Sequence, residues 1–160
     1  LDVVGVLSDG RLFFAEDGQE IKTFDTQDGH GIKMLQSAGI EVAIITGRTT
    51  ALVQRRAANL KIKHLLQGRE DKLVALKELI TELGYELEEV AYVGDDWPDL
   101  PAILASGLGI AVANAHSELR TRADHVTTLT GGRGAVREVC DLLLHAQDRY
   151  NAALAPYLAI

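Results

Sequence analysis

The sequence has little of what membrane or secreted proteins require. Its 160 residues include one cysteine, Cys140, so the chain cannot form a disulfide with itself, as is usual in a reducing cytoplasm. Cys140 lies in a Val-Cys-Asp-Leu-Leu-Leu pattern that indicates an apolar helix face rather than a reactive site. No apolar run approaches the roughly 20 residues that cross a bilayer, and no signal peptide pattern is present. We therefore expect a cytoplasmic protein without a membrane partner.

Positive charge is also scarce. Lysines and arginines number 16 against 23 aspartates and glutamates, which gives a formal net charge of −7. Because proteins bind nucleic-acid backbones through a basic face, this balance argues against nucleic acid as a partner. A small phosphorylated substrate needs only a local cluster of cations, so it stays compatible with the composition.

Two common site patterns are missing. The five histidines show no metal-ligand spacing such as His-x-x-x-His, which disfavours a zinc site. The glycine-rich segment at residues 131–134 lacks the Lys-Ser/Thr ending of a P-loop, so a nucleotide site is also disfavoured.

The order of apolar segments indicates the fold class. Short apolar runs alternate with stretches of helical spacing, which is typical of a doubly wound α/β fold, a parallel sheet with helices on both faces. The predicted strands are Val3–Leu7, 42–45, 64–66, 90–93, 108–112 and 125–128; the predicted helices are 31–38, 50–60, 72–83, 99–106, 117–122 and 135–147. We expect a single domain at residues 1–147 and a C-terminal tail at residues 148–160. Because hardly any strand precedes the first motif, we also expect a strand segment upstream.

The segment from about residue 10 to residue 25 departs from this alternation of strands and helices. Two segments of alternating polarity, 11–14 and 20–24, flank a turn at residues 16–19 that contains Asp-Gly, which predicts a β-hairpin. The hairpin would project from the carboxyl edge of the sheet, where open α/β sheets bind ligands. Its apolar side chains are Leu12, Phe13, Phe14, Ile21 and Phe24. A two-stranded ribbon cannot bury these alone, so an assembly surface is favoured over a flap.

Four short motifs carry the candidate chemistry, and each stands at or near the end of a predicted strand. Asp2 belongs to the first, Thr46-Gly47-Arg48 forms the second, Lys72 begins a helix, and Asp95-Asp96 with Asp99 forms the fourth. Carboxylates can attack phosphorus and can hold Mg²⁺, whereas a hydroxyl and a lysine offset charge on phosphoryl oxygens. The set therefore suits phosphoryl transfer.

In this order the motifs resemble those of the haloacid dehalogenase superfamily. The segments Gly-Val-Leu-Ser-Asp-Gly, Ala-Ile-Ile-Thr-Gly-Arg and Ala-Tyr-Val-Gly-Asp-Asp, together with residues 131–144, are similar to one subfamily that has only a hairpin as cap and forms homotetramers. That subfamily contains the 3-deoxy-D-manno-octulosonate 8-phosphate phosphatases. The resemblance covers Leu1 to about Gln147. It implies Mg²⁺-dependent hydrolysis of this phosphorylated sugar acid in lipopolysaccharide biosynthesis, through an aspartyl-phosphate intermediate.

The resemblance also implies roles for single residues. Asp2 would be the nucleophile, Thr46 would hold the phosphoryl group and Lys72 would neutralise it. The Mg²⁺ ligands would be Asp2, the backbone carbonyl of Val4 and Asp95, with Asp96 and Asp99 in support, and the substrate would meet Arg48, Arg133, and the loop with Asp28 and Gly29. A plain alternative stays open for the acidic cluster, which could be a solvated first helical turn favoured by the helix dipole.

Val4 departs from the superfamily pattern, in which this position is an aspartate that acts as general acid and base. Valine cannot transfer a proton, and such catalysis contributes about 10²–10⁴ in rate. Because the other motif residues remain, we favour a family of active phosphatases in which this chain carries a damaging residue at position 4. We therefore expect this chain to hydrolyse its substrate slowly. Two alternatives stay open: a phosphatase for another sugar acid phosphate, such as a sialic-acid-type 9-phosphate, and a non-catalytic binding or assembly protein.

Overall fold

The computed structural model describes residues 1–159, and its centre is a parallel β-sheet. One group of strands pairs β3 (Ala43–Thr46) with β4 (His64–Gln67), and a second joins β5 (Ala91–Gly94), β6 (Leu108–Ala111) and β7 (His125–Val126). The register aligns Ala43 with His64 and Ala91 with Leu108. These strands coincide with the predicted apolar runs to within one to two residues at most ends.

Residues 1 and 2 connect the two groups of strands. The Leu1 amino group donates to the Ala43 carbonyl at 3.0 Å, and the Ile45 amide donates to the Leu1 carbonyl at 3.1 Å. On the other side, the Asp2 amide donates to the Val93 carbonyl at 3.1 Å. The order is therefore β4, β3, residues 1–2, β5, β6 and β7. Because the chain first adds strands on one side and then on the other, the predicted doubly wound class is confirmed, with its switch point beside Asp2.

The predicted strand at Val3–Leu7 is wrong. These residues form a tight turn of π-helical type, in which the Ser8 amide donates to the Val3 carbonyl at 2.8 Å. Gly5 has a φ of +95°, which glycine adopts without steric cost, so the chain leaves the sheet directly after Asp2. The apolar side chains of Val3, Val6 and Leu7, which suggested a strand, are nevertheless buried, because the turn packs into the core. Burial alone does not distinguish a strand from such a turn.

Seven helices surround the sheet in residues 1–159. They are α1 (Thr26–Ser37), α2 (Ala51–Asn59), α3 (Lys72–Leu83), α4 (Leu100–Ala105), α5 (Ser117–Arg122), α6 (Ala135–Ala146) and α7 (Tyr150–Leu158). Helix α1 packs on α6, and α3 packs on α4 and β3. Helix α1 begins at residue 26 rather than 31, because the Asp25 carboxylate accepts from the amides of Gln27 and Asp28 and caps the first turn.

Helix α7 lies in the segment for which only a tail was predicted. It has Pro156 inside it, which conceals the helical pattern in the sequence. Tyr150 and Ala153 pack against the core, so the start of α7 is held on the domain. Neither α7 nor any other helix within residues 1–159 meets the length and hydropathy that a membrane span requires.

The predicted hairpin is present in a shorter form. Strands β1 (Phe13–Phe14) and β2 (Glu20–Ile21) are antiparallel, with Phe13 opposite Ile21. The turn closes through a bond from the Ala15 amide to the Gln19 carbonyl at 2.9 Å, and Gly18 has a φ of +83°. Most of the apolar side chains of the hairpin face solvent.

Candidate active site

Three carboxylates converge at the carboxyl edge of the sheet. Each of Asp2, Asp95 and Asp99 offers an oxygen, and these oxygens lie within 4.8 Å of one another. Asp2 ends the central segment, Asp95 follows β5, and Asp99 closes the short 3₁₀ turn Trp97–Asp99. Because neighbouring parallel strands end at the same edge, residues distant in sequence meet at one point. The structure therefore brings together the first and fourth motifs.

Lys72 places a buried cation between two of these carboxylates. Its Nζ lies 3.0 Å from Oδ1 of Asp2 and 2.7 Å from Oδ1 of Asp99. Lys72 is the first residue of α3, where the helix dipole disfavours positive charge, so the two carboxylates must supply the compensation. Burial lowers the pKa of Lys72, but the charges of Asp2 and Asp99 outweigh it and the net shift is upward. The ammonium group therefore stays charged.

Asp99 is fully engaged as a hydrogen-bond acceptor. Its Oδ1 accepts from Lys72 Nζ and from the Tyr92 hydroxyl at 3.0 Å. Its Oδ2 accepts from the backbone amides of Asp95 at 3.2 Å and Asp96 at 3.4 Å. Since two carboxylate oxygens provide about four lone-pair sites, little capacity remains for a metal ion. Asp99 is only 1% exposed, which excludes a solvated helical turn for this residue and agrees with a supporting position.

Asp96 differs from Asp99 in its surroundings. It is exposed, and its Oδ1 accepts from the Trp97 amide at 2.8 Å, so it caps the 3₁₀ turn. For Asp96 the capping interpretation accounts for the observed contacts. Its supporting role in a metal site stays a prediction.

Asp2 and Asp95 are left as the carboxylates with capacity for a cation. Burial raises the pKa of Asp95 to about 7, and the charges of Asp2 and Asp99 add to the effect. Burial, followed by the charge of Asp99, also raises the pKa of Asp2. Three clustered carboxylates against the single Lys72 leave an excess of negative charge that a divalent cation would neutralise. Hard carboxylate oxygens are what Mg²⁺ prefers, so the residues fit that ion.

Glycine at position 5 permits this arrangement. A Cβ on Gly5 would overlap the Asp95 carboxylate, so only glycine lets the turn after Asp2 approach so closely. Val4, half-buried in the same turn, stands between the nucleophile candidate and this glycine. Its backbone carbonyl as a metal ligand stays a prediction.

A glycine-rich loop at residues 131–134 packs on the turn. The Gly132 amide donates to the Val6 carbonyl at 2.8 Å, and a Cβ on Gly131 would overlap the Gly5 carbonyl. Arg133 Nη2 lies 3.9 Å from Oδ2 of Asp9, and 67% of its side chain is exposed. The loop therefore supports the turn at Val3–Leu7, while Arg133 lies at the exposed edge of the candidate site.

The second motif, Thr46-Gly47-Arg48, contacts the hairpin through Arg48. Thr46 is buried at the end of β3, and its carbonyl accepts from the Arg69 amide at 3.1 Å. Arg48 Nη2 lies 3.4 Å from Oε2 of Glu20 in β2, which joins the motif to the base of the hairpin. Arg48 retains 40% side-chain exposure and so can still meet a ligand.

Asp28 and Gly29 are not in a loop as predicted, because both lie in the first turns of α1. The Asp28 carboxylate is completely buried and accepts from the amides of Arg137 at 2.8 Å and Gly134 at 3.4 Å. It thus satisfies the N-terminal amides of α6. A Cβ on Gly29 would overlap Arg56, so this glycine lets α2 approach. These contacts favour a packing role, and direct substrate binding stays an untested prediction.

Two residues of the site were missed in the sequence. Tyr92 lies in the buried strand β5, and a buried tyrosine hydroxyl needs a partner, which was the available signal for its bond to Asp99. Glu20 was included only as part of the hairpin, because nothing in the sequence pairs it with Arg48.

Comparison with known proteins identifies the family. The family model of the haloacid dehalogenase-like hydrolases matches residues 65–138. The chain is 53% identical over 153 residues to the 3-deoxy-D-manno-octulosonate 8-phosphate phosphatase KdsC of Escherichia coli K12, an alignment that covers 96% of this chain and 81% of that protein. The chain belongs to the KdsC family. The KdsC of Yersinia pestis is 51% identical over 152 residues, with 95% of this chain and 81% of the relative covered.

Solved structures agree with this assignment. A probable YrbI family phosphatase from Pseudomonas syringae superposes with a TM-score of 0.98 at 58% identity, covering 99% of this chain and 90% of that one. The KdsC-type phosphatase of Moraxella catarrhalis, solved in complex with magnesium, phosphate and KDO, gives a TM-score of 0.96 at 50% identity, covering 98% and 90%. The cobalt-bound enzyme of Haemophilus influenzae gives 0.91 at 43% identity, covering 94% and 88%.

Proposed function

We propose that this protein is a Mg²⁺-dependent phosphatase that hydrolyses 3-deoxy-D-manno-octulosonate 8-phosphate to the free sugar acid and inorganic phosphate, in lipopolysaccharide biosynthesis. One observation carries the proposal: Lys72 bridges Asp2 and Asp99 beside Asp95, in a chain 53% identical to KdsC. The Moraxella catarrhalis homologue binds magnesium, phosphate and KDO together, which supports the same substrate here.

The reaction would proceed in two steps at Asp2. A carboxylate oxygen of Asp2 forms a bond to phosphorus as the bond to the sugar oxygen breaks, which gives an aspartyl phosphate. Water then attacks the phosphorus and releases Asp2 as the carboxylate. Lys72 orients Asp2 and offsets charge on the phosphoryl oxygens, and Thr46 would hold one of those oxygens. Asp2, Asp95 and the Val4 carbonyl would hold Mg²⁺, which when bound supplies further charge neutralisation.

The carboxylate of the sugar acid requires a cationic partner. We propose Arg48 and Arg133 for this role, because both keep exposed guanidinium groups at the edge of the site. Replacing Arg48 by Met is expected to raise KM for the sugar acid phosphate while KM for a phosphate ester without a carboxylate changes little. An equal effect on both substrates would contradict the assignment.

The decisive assay measures phosphate release from the sugar acid phosphate with Mg²⁺. Wild type is expected to be slow and Val4→Asp faster, while Asp2→Asn is expected to be inactive in either background. A sialic-acid-type 9-phosphate assayed alongside tests the substrate alternative. A non-catalytic protein would bind Mg²⁺ but release no phosphate with either residue at position 4, and that result would overturn the proposal.

We also propose that the protein assembles as a homotetramer through the hairpin. Phe13, Phe14 and Ile21 are 50%, 66% and 54% exposed, and a two-stranded ribbon has no core in which to bury them. Sedimentation is expected to give the mass of four chains, and Phe14→Ser is expected to weaken assembly. A monomer at micromolar concentration would contradict this assembly.

For its location we propose the cytoplasm, since Cys140 leaves no possibility of an internal disulfide of the kind that secreted domains use. Fractionation of cells that express the full-length protein tests this directly, and recovery with periplasmic markers would contradict it.

A further inference from the structure

Hydrolysis of a phosphate ester requires two proton transfers. The departing alkoxide must receive a proton, and the attacking water must lose one. A residue that does both has to lie beside Asp2 and hold a titratable group that is not already committed. Two positions after Asp2, in the turn toward Gly5, stands Val4, and like the intervening Val3 it has a hydrocarbon side chain without exchangeable protons.

The polar groups around Asp2 are committed to other bonds. Asp99 accepts four hydrogen bonds, and the Tyr92 hydroxyl is among their donors. Lys72 is bound between Asp2 and Asp99, and Asp95 is the remaining carboxylate with capacity for the cation. When Asp95 holds the cation, none of these residues is free to exchange a proton with a leaving group.

The more distant titratable groups each have one atom held in a local hydrogen bond. Asp9 Oδ1 accepts from the Arg11 amide at 3.1 Å, and Asp96 caps the Trp97 amide. Nδ1 of His116 accepts from Trp97 Nε1 at 3.0 Å and from the Glu118 amide at 3.2 Å. Other atoms of these groups remain available, but among the hydrogen bonds and ion pairs described within residues 1–159 the Asp2 carboxylate meets Lys72 and none of these three side chains.

We infer that this chain accepts a phosphoryl group on Asp2 and retains it, and that its efficient substrates are aryl and acyl phosphates rather than alkyl phosphates. The inference rests on the proposed function, because it assigns Asp2 as the nucleophile. In its present sequence, the protein is expected to be phosphorylated readily on Asp2 and to hydrolyse the resulting aspartyl phosphate slowly.

The first step needs no proton donor when the leaving group is a stable anion. An Asp2 oxygen forms a bond to phosphorus, the bond between phosphorus and the leaving oxygen breaks, and the electron pair departs on that oxygen as phenolate or carboxylate. Such an anion takes up a proton later from solvent, if at all. An alkoxide of a sugar is far more basic, so its departure without a donor is slow.

The second step needs a proton acceptor whatever the first leaving group was. Water forms a bond to phosphorus, the bond to Asp2 breaks, and one proton of the water must pass to a base. Because Val4 cannot accept it, this step is expected to lose the contribution of general base catalysis, about 10²–10⁴ in rate. The aspartyl phosphate therefore accumulates.

The test uses the full chain with Mg²⁺ and p-nitrophenyl phosphate, mixed rapidly and followed by nitrophenolate absorbance. Wild type is expected to release about one nitrophenolate per chain in a burst and then turn over slowly. Intact-protein mass spectrometry after acid quenching is expected to show the mass of one added phosphoryl group, which hydroxylamine removes. Asp2→Asn is expected to show neither burst nor adduct.

Two substitutions at position 4 distinguish the effect of restoring proton transfer from the effect of introducing a polar side chain. Val4→Asn matches aspartate in shape but cannot act as a general base, so it is expected to retain the burst and the adduct. Val4→Asp is expected to lose the adduct and to gain about 10²–10⁴ in steady-state turnover of the sugar acid phosphate.

The outcomes distinguish this inference from the proposed function. If Val4→Asp hydrolyses the sugar acid phosphate while wild type shows neither burst nor adduct, the inference is overturned and the proposed function stands. Equal steady-state rates for wild type and Val4→Asp would also overturn it. If no form shows burst, adduct or phosphate release with any substrate, the proposed function fails and the inference fails with it.

Discussion

The Tyr92 hydroxyl donates a hydrogen bond to Oδ1 of Asp99 over 3.0 Å, and that oxygen also accepts from Lys72 Nζ. Removing the hydroxyl with Tyr92→Phe leaves Lys72 as the only partner of this oxygen and draws the ammonium group away from Asp2. Hydrogen bonds to charged groups contribute about 1.5–3 kcal/mol. Measured in the Val4→Asp background, kcat is expected to fall about tenfold or more, while KM changes little.

Tyr85 offers a matched control, because it is 39% exposed and stands outside the site. Tyr85→Phe is expected to leave kcat unchanged. If Tyr92→Phe lowers only the free energy of unfolding and not kcat, Tyr92 serves packing rather than the orientation of Lys72.

Asp28 is expected to act on stability and not on substrate affinity. Its two carboxylate oxygens accept from different amides at the start of α6, and an asparagine has only one acceptor oxygen. Asp28→Asn is therefore expected to lower the free energy of unfolding in urea by about 0.5–2 kcal/mol, as for a lost helix cap. KM is expected to stay unchanged.

Asp141 provides the comparison, since it forms a half-buried ion pair with Arg137 one turn away in α6. Asp141→Asn is expected to cost no more than about 0.5 kcal/mol. A rise in KM for Asp28→Asn without loss of stability would restore the substrate-binding role that the sequence suggested.

Substitutions at Gly132 and Gly84 distinguish the effect of backbone strain from that of steric overlap. Both have left-handed φ angles, +67° and +76°, but a Cβ on Gly132 would overlap the Asp9 backbone, whereas one on Gly84 meets nothing within 4 Å. Alanine at either position is expected to cost about 1–2 kcal/mol for the backbone. Gly132→Ala alone is expected to displace the turn after Asp2 and weaken Mg²⁺ binding, measured by isothermal titration. Equal Mg²⁺ affinity for both variants would contradict this role of the loop.

The stability of the metal-free protein is expected to depend on pH through Asp95. Burial raises the pKa of Asp95 from 3.8 to about 7, so between these values the folded state binds more protons than the unfolded state. The free energy of unfolding therefore falls as pH rises through this window, and Asp95→Asn is expected to flatten the slope. Added Mg²⁺ favours the ionised carboxylate, so it should stabilise the wild type more at pH 7 than at pH 5. Thermal unfolding with and without Mg²⁺ measures both effects, and an identical slope for Asp95→Asn would contradict the assignment.

Local pattern and the order of motifs were sufficient to anticipate much of the site. Asp2, Thr46, Lys72 and Asp95 were chosen because their residue types suit phosphoryl transfer and their order along the chain resembles the motifs of the superfamily. The structure brings Asp2, Lys72 and Asp95 together around Asp99. Helices α3 and α5 were predicted with their observed bounds, since apolar spacing and flanking residues define them locally.

Asp28, Val3–Leu7 and α7 show where local pattern was insufficient. The Asp28 carboxylate caps a helix more than 100 residues away in the chain (the separation from Arg137 is 109), and no local signal encodes that contact. Val3–Leu7 has the composition of a strand, but its position under the glycine-rich loop makes it a turn.

The sequence by itself determined the alternation of strands and helices, the family motifs and the chemical groups available for phosphoryl transfer, because these depend on residue type and short-range spacing. Only the tertiary structure decided how the groups share their bonds: Asp99 orients Lys72, Asp28 caps α6, and Arg48 meets Glu20. The physical reason is that hydrogen bonds and charges act through space over a few ångströms, and only the folded chain sets those distances.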